Sequence, residues 1–171
     1  MTDICKAGEN ELNEIFKVYE DARAFMAANG NPKQWGISGY PSDDLLREDV
    51  KKQRLYIIKR GGRIAAAFVL FEGEEPTYQL IEDGAWPSDK PYLTIHRLGS
   101  LSSEHGIGVE CIDFAVKLCR EKKLDLRADT HEDNKPVRHI LEKYGFTYCG
   151  IIHVADGTRR RAYQLEITKR G

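Results

Sequence analysis

Between Tyr92 and Phe146 the chain alternates strand-like and helix-like patterns in an order that admits few folds. Tyr92 to Leu98 is a β-rich run, after which Ile107, Cys111, Phe114, Ala115 and Leu118 recur at helical spacing as far as Lys122. Leu124 to Thr130 reads as a buried strand. Asn134 then opens a helix with Pro136 in its first turn and Val137, Ile140, Leu141 and Tyr144 along it, closed by Gly145. Two strands joined through a helix make a parallel pair, and that crossover is expected to be right-handed.

The flanks supply antiparallel arms. Ile4 to Ala7 is a short first strand, and a helix runs from Glu9 to Ala28 through Leu12, Ile15, Phe16, Tyr19, Ala22 and Met26. Asn29-Gly30-Asn31-Pro32 stops it. The loop Lys33 to Pro41 carries Trp35 and Tyr40, and Ser42 caps a second helix with Leu45, Leu46 and Val50 inside. Leu55–Lys59 and Ile64–Phe71 flank Gly61-Gly62, read as a short hairpin turn, while Phe146–Val154 and Arg161–Ile167 flank Asp156-Gly157, read as a two-residue hairpin. The expectation is a single α/β (α+β) domain over residues 1–171, a mixed and mostly antiparallel sheet with about four helices.

Composition excludes several classes. A net charge of -1, from 26 Lys plus Arg against 27 Asp plus Glu, offers no global attraction for nucleic acid or anionic lipid. No apolar run approaches the ~18 residues of a membrane span. The start, Met1-Thr2-Asp3-Ile4-Cys5-Lys6, has neither the basic nor the apolar part of a signal peptide, so a cytoplasmic protein is expected. The cysteines Cys5, Cys111, Cys119 and Cys149 form no C-x-x-C pair and read as buried free thiols. A metal site would need distant residues such as His131, Cys149 and His153, and none is expected. Arg159-Arg160-Arg161 reads as a solvated edge.

Chemistry concentrates in the loop after the Tyr92 strand. Gly106 and Gly108 let main-chain N–H groups approach a ligand closely, and the helix behind them presents free donors and the positive end of its dipole. That combination suits a pyrophosphate. No Walker lysine follows the glycines, and the third glycine of a dinucleotide turn is missing.

The segment Ser103-Glu104-His105-Gly106-Ile107-Gly108 resembles the coenzyme A motif of the GNAT superfamily of N-acetyltransferases, Q/R-x-x-G-x-G/A. Downstream, Asp129 to Asn134 followed by Leu141 to Phe146 resembles the second half of that motif, where an asparagine begins the fourth helix and Gly-Phe ends it. The resemblance implies a sheet splayed between its fourth and fifth strands, with acetyl-CoA as co-substrate held by Ser103, Glu104, His105, Gly106, Ile107, Gly108 and Val109. It further implies that the Leu98 N–H faces the thioester oxygen and that Asn134 contacts the pantetheine arm, which lies between the strands ending at Leu98 and Thr130. An amine would attack the thioester directly, without an acyl-enzyme. Dimers are common in the family. This chain departs from the pattern twice: Ser103 stands where Gln or Arg is usual, and Leu141 stands where many members carry a tyrosine acid, with Tyr144 three residues on and expected to pack under the sheet.

By the period-two rule Tyr92, Thr94, His96 and Leu98 share one strand face, unless a bulge intervenes. Of these, His96 has the side chain whose ordinary pKa, about 6.5, suits taking a proton from an amine; the alternative is a core histidine bonded to main chain. Tyr92, His131, and Glu72 acting through water are further candidates. Trp35 and Tyr40 either wall the acceptor pocket or anchor their loop. The expected acceptor is a small primary amine, with a protein N-terminus or lysine as the alternative, and a non-catalytic acyl-CoA sensor as the alternative from another class.

Overall fold

A computed structural model describes residues 2–36 and 39–167, so Ile37 and Ser38 of the aromatic-bearing loop lie outside the described residues. The elements are β1 (Thr2–Lys6), α1 (Leu12–Ala28), α2 (Asp43–Lys51), β2 (Leu55–Arg60), β3 (Arg63–Glu72), β4 (Tyr92–Ser100), α3 (Ile107–Lys122), β5 (Asp125–Thr130), α4 (Lys135–Tyr144), β6 (Thr147–His153) and β7 (Arg159–Leu165). A short 3-10 turn at Glu9–Glu11 precedes α1, so the helix expected from Glu9 begins as a tighter coil. Seven strands pair in the order β1-β2-β3-β4-β5-β7-β6. The β4–β5 pair is parallel, from Tyr92↔Asp125 to Ile95↔Ala128, and β1–β2, β2–β3, β5–β7 and β6–β7 are antiparallel.

Two compact units divide the chain: residues up to Leu70 with His96–Ile107, and Phe71–Ile95 with the residues from Gly108 on. In the first unit α1 buries Ile15, Val18, Tyr19 and Ala22, and α2 buries Leu46 and Val50, in one apolar cluster with Leu55, Ile57, Ile64, Ala67, Val69 and Trp35. Each buried Leu or Ile contributes about 1.5–3 kcal/mol. Ser42 Oγ accepts from the Leu45 N–H at 3.2 Å, the expected cap of α2. Gly61 and Gly62 both take positive φ, 59° and 80°, which closes β2 on β3 in a two-residue turn. A Cβ on Gly99 would stand 3.0 Å from the Tyr19 ring. Glycine there lets that ring lie against β4, where its hydroxyl donates to the Arg97 carbonyl at 2.6 Å.

The second unit packs α3 and α4 with β5, β6 and β7, burying Cys111, Ala115, Cys119, Leu126, Leu141 and Ile152. The link from β3 to β4 is pinned here. The Arg127 guanidinium sits 4.0 Å from the centres of both the Trp86 and Tyr92 rings and donates to Gln164 Oε1 and the Ser88 carbonyl. Glu82 exchanges two main-chain hydrogen bonds with Ile151, each 2.8 Å, laying the link along β6. A side chain on Gly84 would collide with the Cys149 carbonyl, so the two backbones can meet only at a glycine.

Four expectations are corrected. The β6–β7 loop has five residues, Val154 to Thr158, rather than two: Val154 N donates to Thr158 O, Gly157 N donates to Val154 O, and Gly157 takes φ of 83°. Asp156 Oδ1 accepts from both the N–H and the hydroxyl of Thr158, which builds an ordinary turn followed by one left-handed residue. Arg160 is buried at 6% exposure, because strand alternation turns it to the opposite face from Arg159 and Arg161. Tyr144 does not pack under the sheet; its half-exposed ring lets the hydroxyl donate to Asp113 Oδ1 at 2.6 Å. Cys5 is only half-buried, whereas Cys111, Cys119 and Cys149 are buried free thiols. No helix among the described residues is long and apolar enough to cross a membrane.

Candidate active site

β4 is buried on both faces from Tyr92 to Ile95 and half-buried from His96 to Leu98. The change falls where Arg97 adopts φ of 51°, a left-handed backbone that costs a non-glycine residue about 1–2 kcal/mol. This is the bulge-like exception to the shared face: the alternation of Tyr92, Thr94 and His96 is interrupted at Arg97, so the period-two rule no longer carries Leu98, whose N–H follows the break.

What holds that backbone lies in the first unit. Asp49 on α2 is fully buried and receives Arg54 Nε at 2.6 Å and Arg97 Nε and Nη2 at 2.9 and 3.0 Å. Arg97 Nη1 donates to the Tyr40 hydroxyl at 2.8 Å. Burial works against the Arg97 charge, but Tyr40 and Asp49 outweigh it and hold the guanidinium above its ordinary pKa. Trp35 is buried at 4% exposure with its ring centre 5.8 Å from Tyr19 and 6.2 Å from Tyr40, so Trp35 anchors the loop while Tyr40 stays 37% exposed. Sequence reasoning missed Asp49 and Arg97. The signal was present, since Asp49 falls on the helical stripe of Leu46 and Val50, and Arg97 interrupts an apolar strand.

The loop after β4 is tied down on the same unit. Leu101 N donates to Ala65 O at 2.9 Å, Ser102 N to Asp21 Oδ2 at 2.6 Å, and Arg60 Nη1 to both Glu104 Oε2 at 2.8 Å and His105 O at 3.0 Å. Ser103, His105 and Gly106 are exposed, and Ile107 is buried. Gly106 takes φ of 75° with open space where a side chain would begin. It enters α3, whose first-turn N–H groups lack intrahelical acceptors. The Gly106 cradle thus fits a pyrophosphate. Gly108 serves a different end: a Cβ there would stand 3.0 Å from Ile140 Cδ1, so its smallness lets α3 approach α4. Val109 is 44% exposed on the first turn.

In the second unit the remaining candidates are engaged in local bonds. The Tyr92 hydroxyl accepts from Glu75 N at 2.8 Å, and its ring stacks on Tyr78. His131 Nδ1 accepts from Asp133 N at 3.0 Å. Glu72 is exposed and pairs with Lys122 at 3.0 Å. Asn134 is buried and caps α4 through Val137 N at 3.3 Å. The buried hydroxyls of Thr94 and Thr130 have no hydrogen-bond partner among the described residues, an omission that ordinarily costs about 1–3 kcal/mol each. Thr130 ends β5, at the carboxyl end of the parallel β4–β5 pair. Where the usual tyrosine acid would stand, Leu141 is buried at 3% exposure. Tyr144 is pushed up to about 12 by burial and by Asp113. Among the described residues no group of three His, Cys, Asp or Glu side chains is placed to hold a metal ion.

No family model matches the sequence, and no curated protein matches it. Solved structures do. A GNAT-family acetyltransferase from Streptococcus agalactiae is 32% identical, covering 95% of this chain and 94% of its own, with a TM-score of 0.83. A GNAT-family acetyltransferase from Listeria monocytogenes is 19% identical over 96% and 94%, with a TM-score of 0.72. The ribosomal-protein-S18-alanine N-acetyltransferase from Escherichia coli is 13% identical over 98% and 95%, with a TM-score of 0.66. The last two likenesses are of fold alone.

Proposed function

The chain belongs to the GNAT family of acetyltransferases, and from that premise we propose that it is one catalytic domain transferring the acetyl group of acetyl-CoA to the primary amine of a small molecule. The observation that carries this reading is the loop before α3, where Gly106 adopts φ of 75° with nothing over it and leads straight into free helix N–H groups.

Acetyl-CoA supplies an activated thioester; the chain's residues hold and aim it. Main-chain amides of Gly106 to Val109 bind the diphosphate, with Ser103, Glu104 and His105 on the rim of that loop. The Leu98 N–H, set by the break in the pleat at Arg97, polarises the thioester oxygen, an effect worth about 3–4 kcal/mol in comparable oxyanion sites. Asn134 hydrogen-bonds the pantetheine arm. His96 takes the proton that the amine loses as its nitrogen bonds to the carbonyl carbon and the carbon–sulfur bond breaks. With Leu141 at the usual acid position and Tyr144 tied to Asp113, the departing thiolate takes its proton from solvent. Tyr40, exposed beside the buried Trp35, borders the acceptor. Free thiols throughout suit the cytoplasm.

The test is to incubate the protein with acetyl-CoA and a panel of small amines and peptides, including one with an N-terminal alanine, while following thiol release. Turnover with a small amine is expected. Turnover with peptides alone moves the acceptor to a protein, and tight binding of acetyl-CoA without turnover on any amine defeats the catalytic reading.

A further inference from the structure

The loop proposed to hold a diphosphate carries a carboxylate. Glu104 follows Ser103, which stands where the motif ordinarily has a cation or amide, so at that rim the chain has lost one favourable group and kept an acidic one. Left alone, a carboxylate beside a diphosphate repels it. The structure places a partner there. Arg60, 44 residues upstream and the last residue of β2, sets Nη1 2.8 Å from Glu104 Oε2 and 3.0 Å from the His105 carbonyl. Its position is fixed by the hairpin it closes, Arg60↔Arg63 across the two glycines. Both side chains keep contact with solvent, Arg60 at 26% and Glu104 at 21% exposure, so the pair lies on the rim of the loop rather than in the core.

We propose that Arg60 is a positioning residue for acetyl-CoA: it cancels the Glu104 charge and brings to the phosphate-binding loop, from a neighbouring strand, the cation missing at Ser103. The inference rests on the reading of this loop as the diphosphate site. A surface ion pair of this kind contributes little to stability. Its effect falls on an anion arriving at the loop, and added salt weakens that effect by shortening the Debye length over which it reaches.

The experiment is calorimetric titration of acetyl-CoA into the full chain at low and high ionic strength, with Arg60→Gln, Arg60→Lys, Glu104→Gln and the double variant Arg60→Gln/Glu104→Gln. Removing the cation while the carboxylate remains should weaken binding about tenfold at low salt and less at high salt. Arg60→Lys should stay within about threefold of the wild type, because it keeps the charge. Glu104→Gln should bind as tightly as the wild type or more tightly, and the double variant should recover most of the loss. A purely structural brace predicts the reverse for Glu104→Gln, since either partner's removal would loosen the loop. Unchanged binding by Arg60→Gln, or weakened binding by Glu104→Gln, overturns the inference while leaving the loop assignment intact. Wild-type protein that ignores acetyl-CoA overturns both. Should Arg60→Gln fold poorly, the Glu104→Gln result decides alone.

Discussion

Arg97 grips both carboxylate oxygens of Asp49, at 2.9 and 3.0 Å, across 48 residues of chain. The fork-on-fork geometry is the strong form of an ion pair, and Arg54 adds a third donor to the same carboxylate at 2.6 Å. It joins α2 to the residue whose left-handed backbone breaks β4. Asp49→Ala should therefore lower stability by about 3–5 kcal/mol, the effect of stranding a buried partner. Urea unfolding checks this, and a loss below about 1 kcal/mol would show that the arginines find other partners.

His96 is placed at the start of that break, half-buried. Replacing it by alanine should reduce turnover at least tenfold near neutral pH, the lower range for losing a general base, with acetyl-CoA affinity little changed. Steady-state kinetics beside calorimetry separate the two effects. Equal turnover across the pH range removes His96 from the proton transfer.

Gly106 allows backbone and charge effects to be told apart. Asparagine and aspartate both tolerate its positive φ better than other residues and have nearly the same size. Gly106→Asn should weaken acetyl-CoA binding modestly, whereas Gly106→Asp should abolish it by placing a carboxylate at the phosphates. Two variants with the same affinity would mean that no phosphate approaches this turn.

Tyr144 should be dispensable for chemistry. Its hydroxyl is committed to Asp113, and burial with that partner holds its proton up to a pKa of about 12. Tyr144→Phe is expected to keep full turnover and lose about 0.5–1.5 kcal/mol of stability, one hydrogen bond. A hundredfold fall in turnover would make it the acid after all.

Alkaline pH should loosen the fold through its thiols. Burial pushes Cys149 up to about 11 and, with Asp125 and Glu72, Cys119 up to about 12. An unfolded thiol releases its proton near pH 8.5, so the folded chain binds more protons above that point. Stability from these groups is intact below about pH 8.5 and declines as pH climbs toward 11 and 12. Urea midpoints at a series of pH values from 7 to about 10.5 should fall along that slope. At pH 8 a thiol reagent should modify the half-buried Cys5 well before the other three, and all four only on unfolding.

The element order, the cap at Ser42, the start of α4 at Asn134 and its end at Gly145 follow from residues near one another in the chain, because caps, turns and amphipathic stripes are decided within a few bonds. The glycine turn at Gly106 was legible for the same reason. Asp156-Gly157 misled because the Asp156 side chain, accepting from Thr158, holds a longer loop than a two-residue turn. Long-range pairs lay beyond any such reading. Nothing local foretells that Arg97 will turn left-handed to reach Asp49, that Arg60 will meet Glu104, that Arg127 will lie between Trp86 and Tyr92, or that Tyr144 will face Asp113. Sequence alone determined which segments become helix and strand and where the glycine turn before α3 falls. Tertiary structure alone decided which charges meet and which way β4 faces after Ile95, because those outcomes are set by desolvation and packing among residues tens of positions apart.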